Sequence, residues 1–236
     1  MGRKLVYAAP LLFVLLLAAH PGFAAQNSAA SGNLQQVLAQ LDKSARNFHS
    51  ASADFEFKNI QTEPVPDTDV MTGTVYYQHQ GSGLRVAAHI DRQNGQPYGS
   101  VYTYTNGVFQ LYDPRMNQVT KLQNSTNLAG YVALGFGATG QDLQKGFQIT
   151  YLGQETIDGV KTAKLELIFK NPKARATIPK VTMWIDPIRD VSLKQVFDEG
   201  QGLSRVATYS HIEMNHSISS SEFTFKTNKQ TQFTTQ

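Results

Sequence analysis

Residues 101–113 read VYTYTNGVFQLYD, and this stretch decides the fold class. Alternating residues flank Asn106-Gly107 on both sides. An Asn-Gly pair between two such runs supplies the two positive-φ positions of a tight β-hairpin. Asp158-Gly159 gives the same signal between residues 147–155 and 161–170. The sequence therefore predicts successive antiparallel strands that are joined by short turns.

A period of two, which is typical of half-buried strands, extends along most of the chain. Apolar residues at three- and four-residue spacing predict one amphipathic helix over about residues 33–48. Residues 124–145 break the strand pattern with four glycines among apolar residues, and we interpret them as short helices or a mobile flap. The predicted architecture is a curled antiparallel sheet with the helix on one of its faces. Further strands are predicted over residues 51–58, 70–78, 84–90, 181–185, 191–197, 204–214 and 222–226.

The first 24 residues are predicted to be a secretory signal peptide. Arg3 and Lys4 precede an uncharged run over residues 5–19, and cleavage is expected after Ala24. The run is shorter than the roughly 20 apolar residues that span a membrane, although an uncleaved anchor is the alternative. A flexible segment over residues 25–32, one domain over residues 33–226 and a flexible tail over residues 227–236 are predicted to follow.

Composition excludes several classes of function. The chain has no cysteine, so a lipid-modified cysteine, a disulfide and thiol chemistry are all excluded. Two of its basic residues lie in the predicted signal, which reduces the formal net charge from +3 to +1 for the exported chain. Because binding to nucleic acid needs clustered Lys and Arg, we predict no nucleic-acid partner.

One motif suggests chemistry that its surroundings do not support. Residues 135–140, GFGATG, match the dinucleotide-binding fingerprint. That fingerprint has meaning only inside a parallel βαβ unit, whereas the next element here is predicted to be a hairpin strand. A glycine-rich hinge is the favoured interpretation. The histidines lack metal-binding spacing and no nucleophile elbow occurs, so we predict no cofactor, no metal and no enzymatic activity.

Large apolar side chains are concentrated on the strand faces, and they allow two interpretations. They form either an ordinary core or the concave wall of a lipid cavity that the helix and the flap close, and the pattern alone does not decide. In the second case we expect the flap to close over the empty cavity. The predicted cavity lining is Phe55, Phe57, Val75, Tyr77, Leu84, Val86, Ile90, Phe109, Leu111, Leu165, Leu167, Phe169, Met183 and Ile185. The predicted lid and hinge residues are Leu128, Tyr131, Val132, Leu134, Gly135, Phe136, Gly137 and Gly140.

A basic loop joins two of the predicted strands. Its charges come from Lys170, Lys173, Arg175 and Lys180. A solvated connection is the default interpretation. The functional alternative is docking to an acidic partner surface or to lipid headgroups, because such a cluster attracts anions at short range.

Several short motifs follow one another along the chain, and they are Gly73 with Tyr76, Leu84-Arg85-Val86, Asn106-Gly107 leading to Tyr112-Asp113-Pro114, Trp184-Ile185-Asp186-Pro187, residues 209–215 and Phe223-Thr224-Phe225. Their order is that of LolA-type outer-membrane lipoprotein carriers, which the chain resembles over residues 34–226. The resemblance implies an incomplete, half-open antiparallel β-barrel that is covered by an N-terminal helix and a short helical flap.

The resemblance also implies a function. Such carriers are periplasmic, hold the acyl chains of lipoproteins, receive them from an inner-membrane ABC transporter and pass them to an outer-membrane acceptor. We therefore expect a monomer with transient membrane contact, and a carrier or sensor for another lipid is the alternative. The chain departs from the family at Gly81-Ser82-Gly83, where a basic residue and a proline are common. The hydrogen bond from that basic residue to the lid is left without a donor, and we do not transfer the role to nearby Arg85.

Overall fold

The computed structural model describes residues 22–80, 83–122 and 134–235, with side chains from residue 33 onward. Three predicted lid residues, Leu128, Tyr131 and Val132, lie outside this part of the chain. The predicted signal peptide also lies outside it, except for its last three residues. The predicted domain boundaries therefore stay predictions.

The described chain consists of strands and a few helices. The helices are α1 (Gly22–Ala45), α2 (Gly140–Gly146) and α3 (Pro172–Thr177), and a 3-10 turn covers Ser220–Phe223. The strands are β1 (Ser50–Gln61), β2 (Asp67–Gln80), β3 (Gly83–Gln93), β4 (Gln96–Thr105), β5 (Val108–Asp113), β6 (Gln118–Leu122), β7 (Phe147–Ile157), β8 (Val160–Phe169), β9 (Lys180–Ile185), β10 (Ser192–Gly200), β11 (Leu203–Met214) and β12 (Gln232–Thr235).

All twelve strands form one sheet in the order β12-β6-β5-β4-β3-β2-β1-β11-β10-β9-β8-β7. Neighbours are antiparallel, except that β12 runs parallel to β6. Within the described residues the two outermost strands, β7 and β12, do not pair with each other, so the sheet is open. With α1 on one side, this confirms the predicted class, a mainly β, half-open barrel covered by a helix.

The hairpin turns have the backbone conformation that the sequence predicted. Asn106 and Gly107 have φ of 53° and 81°, and Asp158 and Gly159 have φ of 47° and 80°. Both turns connect antiparallel neighbours, β4 with β5 and β7 with β8. Local turn chemistry was therefore sufficient to predict these two pairings.

The bounds of several predicted helices and strands were wrong. Helix α1 begins at Gly22 rather than near residue 33, so it includes the segment 25–32 that was predicted to be flexible. The tail that was predicted to be loose contains β12. The predicted last strand over residues 222–226 is instead the 3-10 turn and the extended residues after it. The sequence also did not predict β6 or α3; Asn171 caps α3, and Pro172 occupies its first turn.

The sheet has an inner face, which carries α1, and an outer face. On the outer face, residues 215–228 cross from the end of β11 toward β6. Ile218 and Phe223 pack on Ala87 and Tyr76, and the Phe225 ring stacks on Tyr112 at 5.3 Å. This crossing segment covers part of the outer face of β2, β3 and β5, so the inner face is the one left for a ligand in this half of the sheet.

Candidate functional site

The strand register places all fourteen predicted lining residues on the inner face. In the middle of the sheet, Val75 pairs with Ala53 on one side and with Ala88 on the other. In the other half, Leu165 pairs with Met183. Because side chains on one strand alternate between faces, this register gives every lining residue the same orientation. Whether they contact a lipid stays a prediction.

The half of the inner face formed by β7 to β10 is an ordinary core. Leu165, Leu167 and Met183 are 0% exposed, and Leu38 and Leu41 of α1 pack against them together with Leu143 of α2. The protein's own helices fill this half. In the closed structure these residues therefore form an ordinary core, which was the first of the two interpretations of the apolar strand faces.

The half formed by β1 to β6 is less completely covered. Val75, Tyr77, Val86 and Ile90 are buried there. Inner-face residues toward the rim are only half-buried, and they are Phe55, Phe57, Leu84, Phe109 and Leu111. The apolar surface in this half therefore extends from a covered centre to a partly open margin.

Residues 134–140, which we call the lid segment, cover the centre of the inner face. Phe136 is 0% exposed, and its ring stacks on Tyr77 with a centroid distance of 4.4 Å and an interplanar angle of 8°. Tyr209 meets the same ring edge-on at 5.0 Å. Burial raises the pKa of Tyr209 to about 12 and raises that of Tyr77 well above its usual value, so both hydroxyls stay neutral. Phe136 thus fills an aromatic pocket at the middle of the sheet.

Two hydrogen bonds hold the backbone of the lid segment. The side-chain amide Nε2 of Gln195 donates to the carbonyl oxygen of Leu134 at 2.5 Å. The backbone N–H of Ser192 donates to the carbonyl oxygen of Gly135 at 2.9 Å. Both donors belong to β10, so this strand fixes the lid segment in the closed position.

The three predicted hinge glycines allow the lid segment to approach its neighbours closely. Gly135 and Gly137 have φ of +85° and +74°, which favour glycine. A Cβ at Gly137 would lie 2.5 Å from a ring carbon of Phe48, and one at Gly140 would clash with the backbone of Leu38 in α1. These positions need glycine for close contact in the closed structure. Their action as a hinge stays a prediction.

The far end of the lid segment is anchored to the helices. Thr139 caps α2, and its hydroxyl accepts a hydrogen bond from the backbone N–H of Asp142 at 2.9 Å. The backbone N–H of Gln141 donates to the Asp42 carboxylate of α1 at 3.2 Å. The fixed end of the lid segment is therefore at α2.

Little space remains beneath the closed lid segment. A cavity of about 10 Å³ lies where α1 meets the lid segment, and its lining includes Leu41, Phe48, Gly137 and Val191. This volume is about enough for one water molecule. A groove of about 380 Å³ lies on the opposite face, beside Trp184 and Lys164. The closed inner face at the lid segment is therefore too tightly packed to accept an acyl chain unless the lid segment moves.

A buried acid lies against α1 at the edge of this cavity. The Asp190 carboxylate accepts a hydrogen bond from Gln40 Nε2 at 3.2 Å. Its pKa is raised, first because burial disfavours the charged form and also because Asp186 is near; hydrogen bonds from Gln40 and Ser44 oppose the shift. Asp190 therefore costs stability when it is ionised.

We expect Asp190→Asn to stabilise the protein at neutral pH. Because the pKa of Asp190 is raised in the folded state, the contribution of its neutral form to the free energy of unfolding is fully present below the ordinary pKa of about 3.9. This contribution is lost as the pH rises through the folded-state pKa. Asn can accept the same hydrogen bond and tolerates the φ of 55° at this position. Urea denaturation should show a higher midpoint for the variant at neutral pH and converging midpoints in acid.

The matched control is Asp158→Asn, because Asp158 also has a positive φ but is exposed. It should leave the pH dependence unchanged. Equal midpoints of wild type and Asp190→Asn at neutral pH would contradict the account of Asp190.

Arg85 does not take the role of the missing basic residue. Its side chain lies on the outer face, where it donates to Gln78 and lies over the Phe223 ring at 4.0 Å. The lid segment is on the other face of the sheet. In this chain Gln195 and Ser192 hold the lid segment instead.

The structure divides the predicted docking residues between two environments. Lys173 and Arg175 are carried by α3, and exposed Lys170 donates to the carbonyl oxygen of Gln144. Lys180 lines the outer groove, and its Nζ lies 3.6 Å from Oδ2 of Asp198. Docking through these four residues stays a prediction.

The dinucleotide fingerprint has the wrong context in the structure as well. Residues 135–140 lead into α2, which is followed by β7, and β7 pairs antiparallel with β8. No parallel βαβ unit surrounds the motif within residues 134–235. Among all the described residues, no group of three His, Asp or Glu side chains could hold a metal ion.

Sequence reasoning missed the residues that hold the lid segment. Leu193, Gln195 and Phe197 occupy alternate positions of one predicted strand, and Gln195 is the polar member of this apolar series. A polar residue in an apolar series was the signal that could have identified Gln195. Ser192 acts through its backbone, which leaves no signal in the sequence.

Solved structures with the same fold include two that exceed a TM-score of 0.5. An uncharacterized conserved protein from Thermus thermophilus is 11% identical with a TM-score of 0.53, over 86% of this chain and 99% of that chain. MucB is 10% identical with a TM-score of 0.51, over 83% of this chain and 63% of that chain. At these identities the matches show the fold alone.

The matches also include a LolA superfamily protein from Nitrosomonas europaea, which is 15% identical with a TM-score of 0.39, over 81% of this chain and 97% of that chain. The fold of this chain, an open and mostly antiparallel sheet under an N-terminal helix, is the architecture that the resemblance to LolA-type carriers implied. This statement concerns the fold and not the activity.

Sequence comparisons add little. No protein-family model matches the chain. An uncharacterized protein of Methanocaldococcus jannaschii, MJ0687, is 33% identical over 79 residues, which are 33% of this chain and 22% of that protein. The chain thus matches about a fifth of the length of this curated relative. In the described part of the chain, no helix is long and apolar enough to cross a membrane.

Proposed function

We propose that the chain is a periplasmic carrier that holds the acyl chains of lipoproteins on its inner face and moves them from the inner to the outer membrane. The observation that carries this proposal is the position of Phe136. A residue outside any strand fills the aromatic pocket between Tyr77 and Tyr209, at the centre of an apolar face. If the lid segment moves away, that pocket becomes a binding site for hydrocarbon.

The free energies that hold the lid segment and an acyl chain on this face are of similar size. Burial of Phe136 and of Leu134, which are 0% and 1% exposed, contributes about 1.5–3 kcal/mol each, and each of the two lid hydrogen bonds contributes about 0.5–1.5 kcal/mol. A hydrocarbon chain that buries roughly ten methylenes contributes about 8 kcal/mol. An acyl chain can therefore compete with the lid segment for this face, and in the absence of cargo the lid segment returns.

The half-buried margin of the inner face is the proposed entry point for the acyl chain. Phe55 and Leu84 pack at the edge of the cluster that contains Phe136, and both remain partly exposed. An acyl chain that binds first at this margin can advance toward the centre as the lid segment leaves. The lid segment touches both halves, since Leu134 packs in the core under α1 and Phe136 packs in the half formed by β1 to β6, so its departure opens the boundary between them.

The rest of the proposal combines the predicted signal peptide and the basic surface with what the resemblance to LolA-type carriers implies. Export would place the domain over residues 33–226 in the periplasm as a monomer. There we propose that it receives cargo from an inner-membrane ABC transporter and delivers it to an outer-membrane acceptor. The charges of Lys173 and Arg175 on α3 suit brief contact with acidic partner surfaces or lipid headgroups.

The test is the identity of the bound material. We expect native mass spectrometry of the protein recovered from the periplasm to show a bound acylated lipoprotein. Phe57→Gln should lose this cargo because Phe57 lies half-buried on the inner face of β1. Its matched control is Lys58→Gln, which changes the next residue on the outer face.

The other outcomes are equally informative. A bound glycolipid or free lipid would support the alternative, a carrier or sensor for another lipid on the same fold. A protein that never carries or takes up any acylated molecule would contradict both candidates.

A further inference from the structure

The lid segment contacts β10 through two consecutive carbonyl oxygens. Those of Leu134 and Gly135 accept from Gln195 Nε2 and from the backbone N–H of Ser192. Both donors are buried, since Gln195 is 2% and Ser192 is 0% exposed. The closed protein thus shows a small site in which two N–H groups hold neutral carbonyl oxygens.

The surroundings of this site are apolar. On the inner face, Gln195 pairs with Met183 of β9 and with Ala207 of β11. Both neighbours are buried, at 0% and 4% exposed. When the lid segment leaves, the Gln195 amide loses its acceptor within an apolar wall, which costs free energy unless a new acceptor arrives.

We infer that Gln195 and the Ser192 N–H form a binding site for the carbonyl oxygen of an ester- or amide-linked acyl chain. The inference rests on the proposed carrier function and adds a preference to it. Carbonyl oxygens of the cargo replace the two lid carbonyl oxygens, so each donor keeps a partner in the closed and in the loaded protein. A simple hydrocarbon chain leaves both donors unpaired.

The geometry favours a neutral carbonyl over a charged group. The inner-face neighbours of Gln195 in the register carry no charge, and Phe197 and Leu193 of the same strand are apolar. A phosphate or carboxylate would lose its hydration without gaining a counter-ion. An ester or amide carbonyl matches what the lid backbone already supplies.

The test compares lipids that differ only in the carbonyl. Dissociation constants are measured for the purified protein with ester-linked and ether-linked phosphatidylglycerol of equal chain length. The same pair is made for a diacylglyceryl-cysteine dipeptide, which represents a lipoprotein. We expect the ester form to bind roughly two- to tenfold more tightly in at least one pair, and that pair identifies the source of the acyl chain.

The variant that tests the residue is Gln195→Met, which keeps the length of the side chain and removes the donor. We expect the ester-to-ether preference to fall toward one, while affinity for the ether lipid is equal or higher because the lid segment is held less firmly. Gln148→Met, at an exposed position of β7, is the control and should keep the preference.

A second measurement needs no variant. The infrared stretch of a ¹³C-labelled ester carbonyl should lie at lower wavenumber in the bound lipid than in the same lipid in dry hexane. Equal binding of ester and ether forms, or an unshifted carbonyl stretch, would overturn the inference and leave the carrier function intact. Failure to bind either form would instead contradict the carrier function itself.

Discussion

Phe136→Ala should weaken the closed structure and strengthen binding of acyl chains at the same time. The side chain is 0% exposed, and a buried Phe→Ala change costs about 3–5 kcal/mol. The space that it leaves lies between Tyr77 and Tyr209, where we propose that cargo binds. A bound acyl chain then no longer competes with the Phe136 ring.

The measurements are urea denaturation of the free protein and equilibrium binding of a fluorescent fatty acyl ester. We expect the free energy of unfolding to fall by about 3 kcal/mol or more and the dissociation constant of the probe to fall at least tenfold. Saturating probe should restore much of the lost stability, because a ligand that binds only the folded state stabilises it.

Phe233→Ala is the matched control, since Phe233 is 68% exposed in the terminal strand β12. It should change neither quantity appreciably. If Phe136→Ala lowers stability while probe affinity stays the same or falls, Phe136 is only a core residue and the account of the lid segment is wrong.

The sequence was informative wherever the structure depends on neighbours in the chain. Asn106-Gly107 and Asp158-Gly159 fix their hairpins through backbone conformation alone. Strict alternation assigned all fourteen lining residues to one face, because the period of two is a property of any extended strand. These features did not require knowledge of what packs against the sheet.

The sequence failed where distant contacts decide the outcome. Alternation reports that a side chain is buried, but it does not say whether protein or ligand covers it. Leu165 and Met183 are covered by α1, whereas Val75 and Tyr77 lie beside the lid segment. The same pattern therefore described a filled core and a candidate binding surface, and only the three-dimensional arrangement separates the two.

Residues 222–226 and the glycines of the lid segment show the same limit of prediction from sequence. Residues 222–226 alternate like a strand, yet they cross the outer face, because Phe223 packs on Tyr76 and Ala87 and the edge position beside β6 is taken by β12. The glycines of residues 135–140 suggested a hinge. Their close approach to Phe48 and to the backbone of Leu38 could not be known before the packing of α1 was known.

The central claim is that the inner face binds acyl chains only when the lid segment moves, and a reversible crosslink can test it. An ideal Cβ at Gly137 lies 3.1 Å from Cγ of Phe48, which is one bond from that residue's Cβ. The two Cβ atoms are thus within reach of the roughly 3.5–4.5 Å that a disulfide requires. Because the chain has no cysteine, Phe48→Cys with Gly137→Cys introduces the only two thiols.

Binding of the fatty acyl ester should therefore be measured for this double variant in its oxidised and reduced forms, with each single variant as a control for the substitution itself. We predict that oxidation reduces binding at least tenfold and that reduction restores it, while neither single variant responds to the redox state. Equal binding by the oxidised and reduced forms would contradict the account, because acyl chains would then bind without displacement of the lid segment.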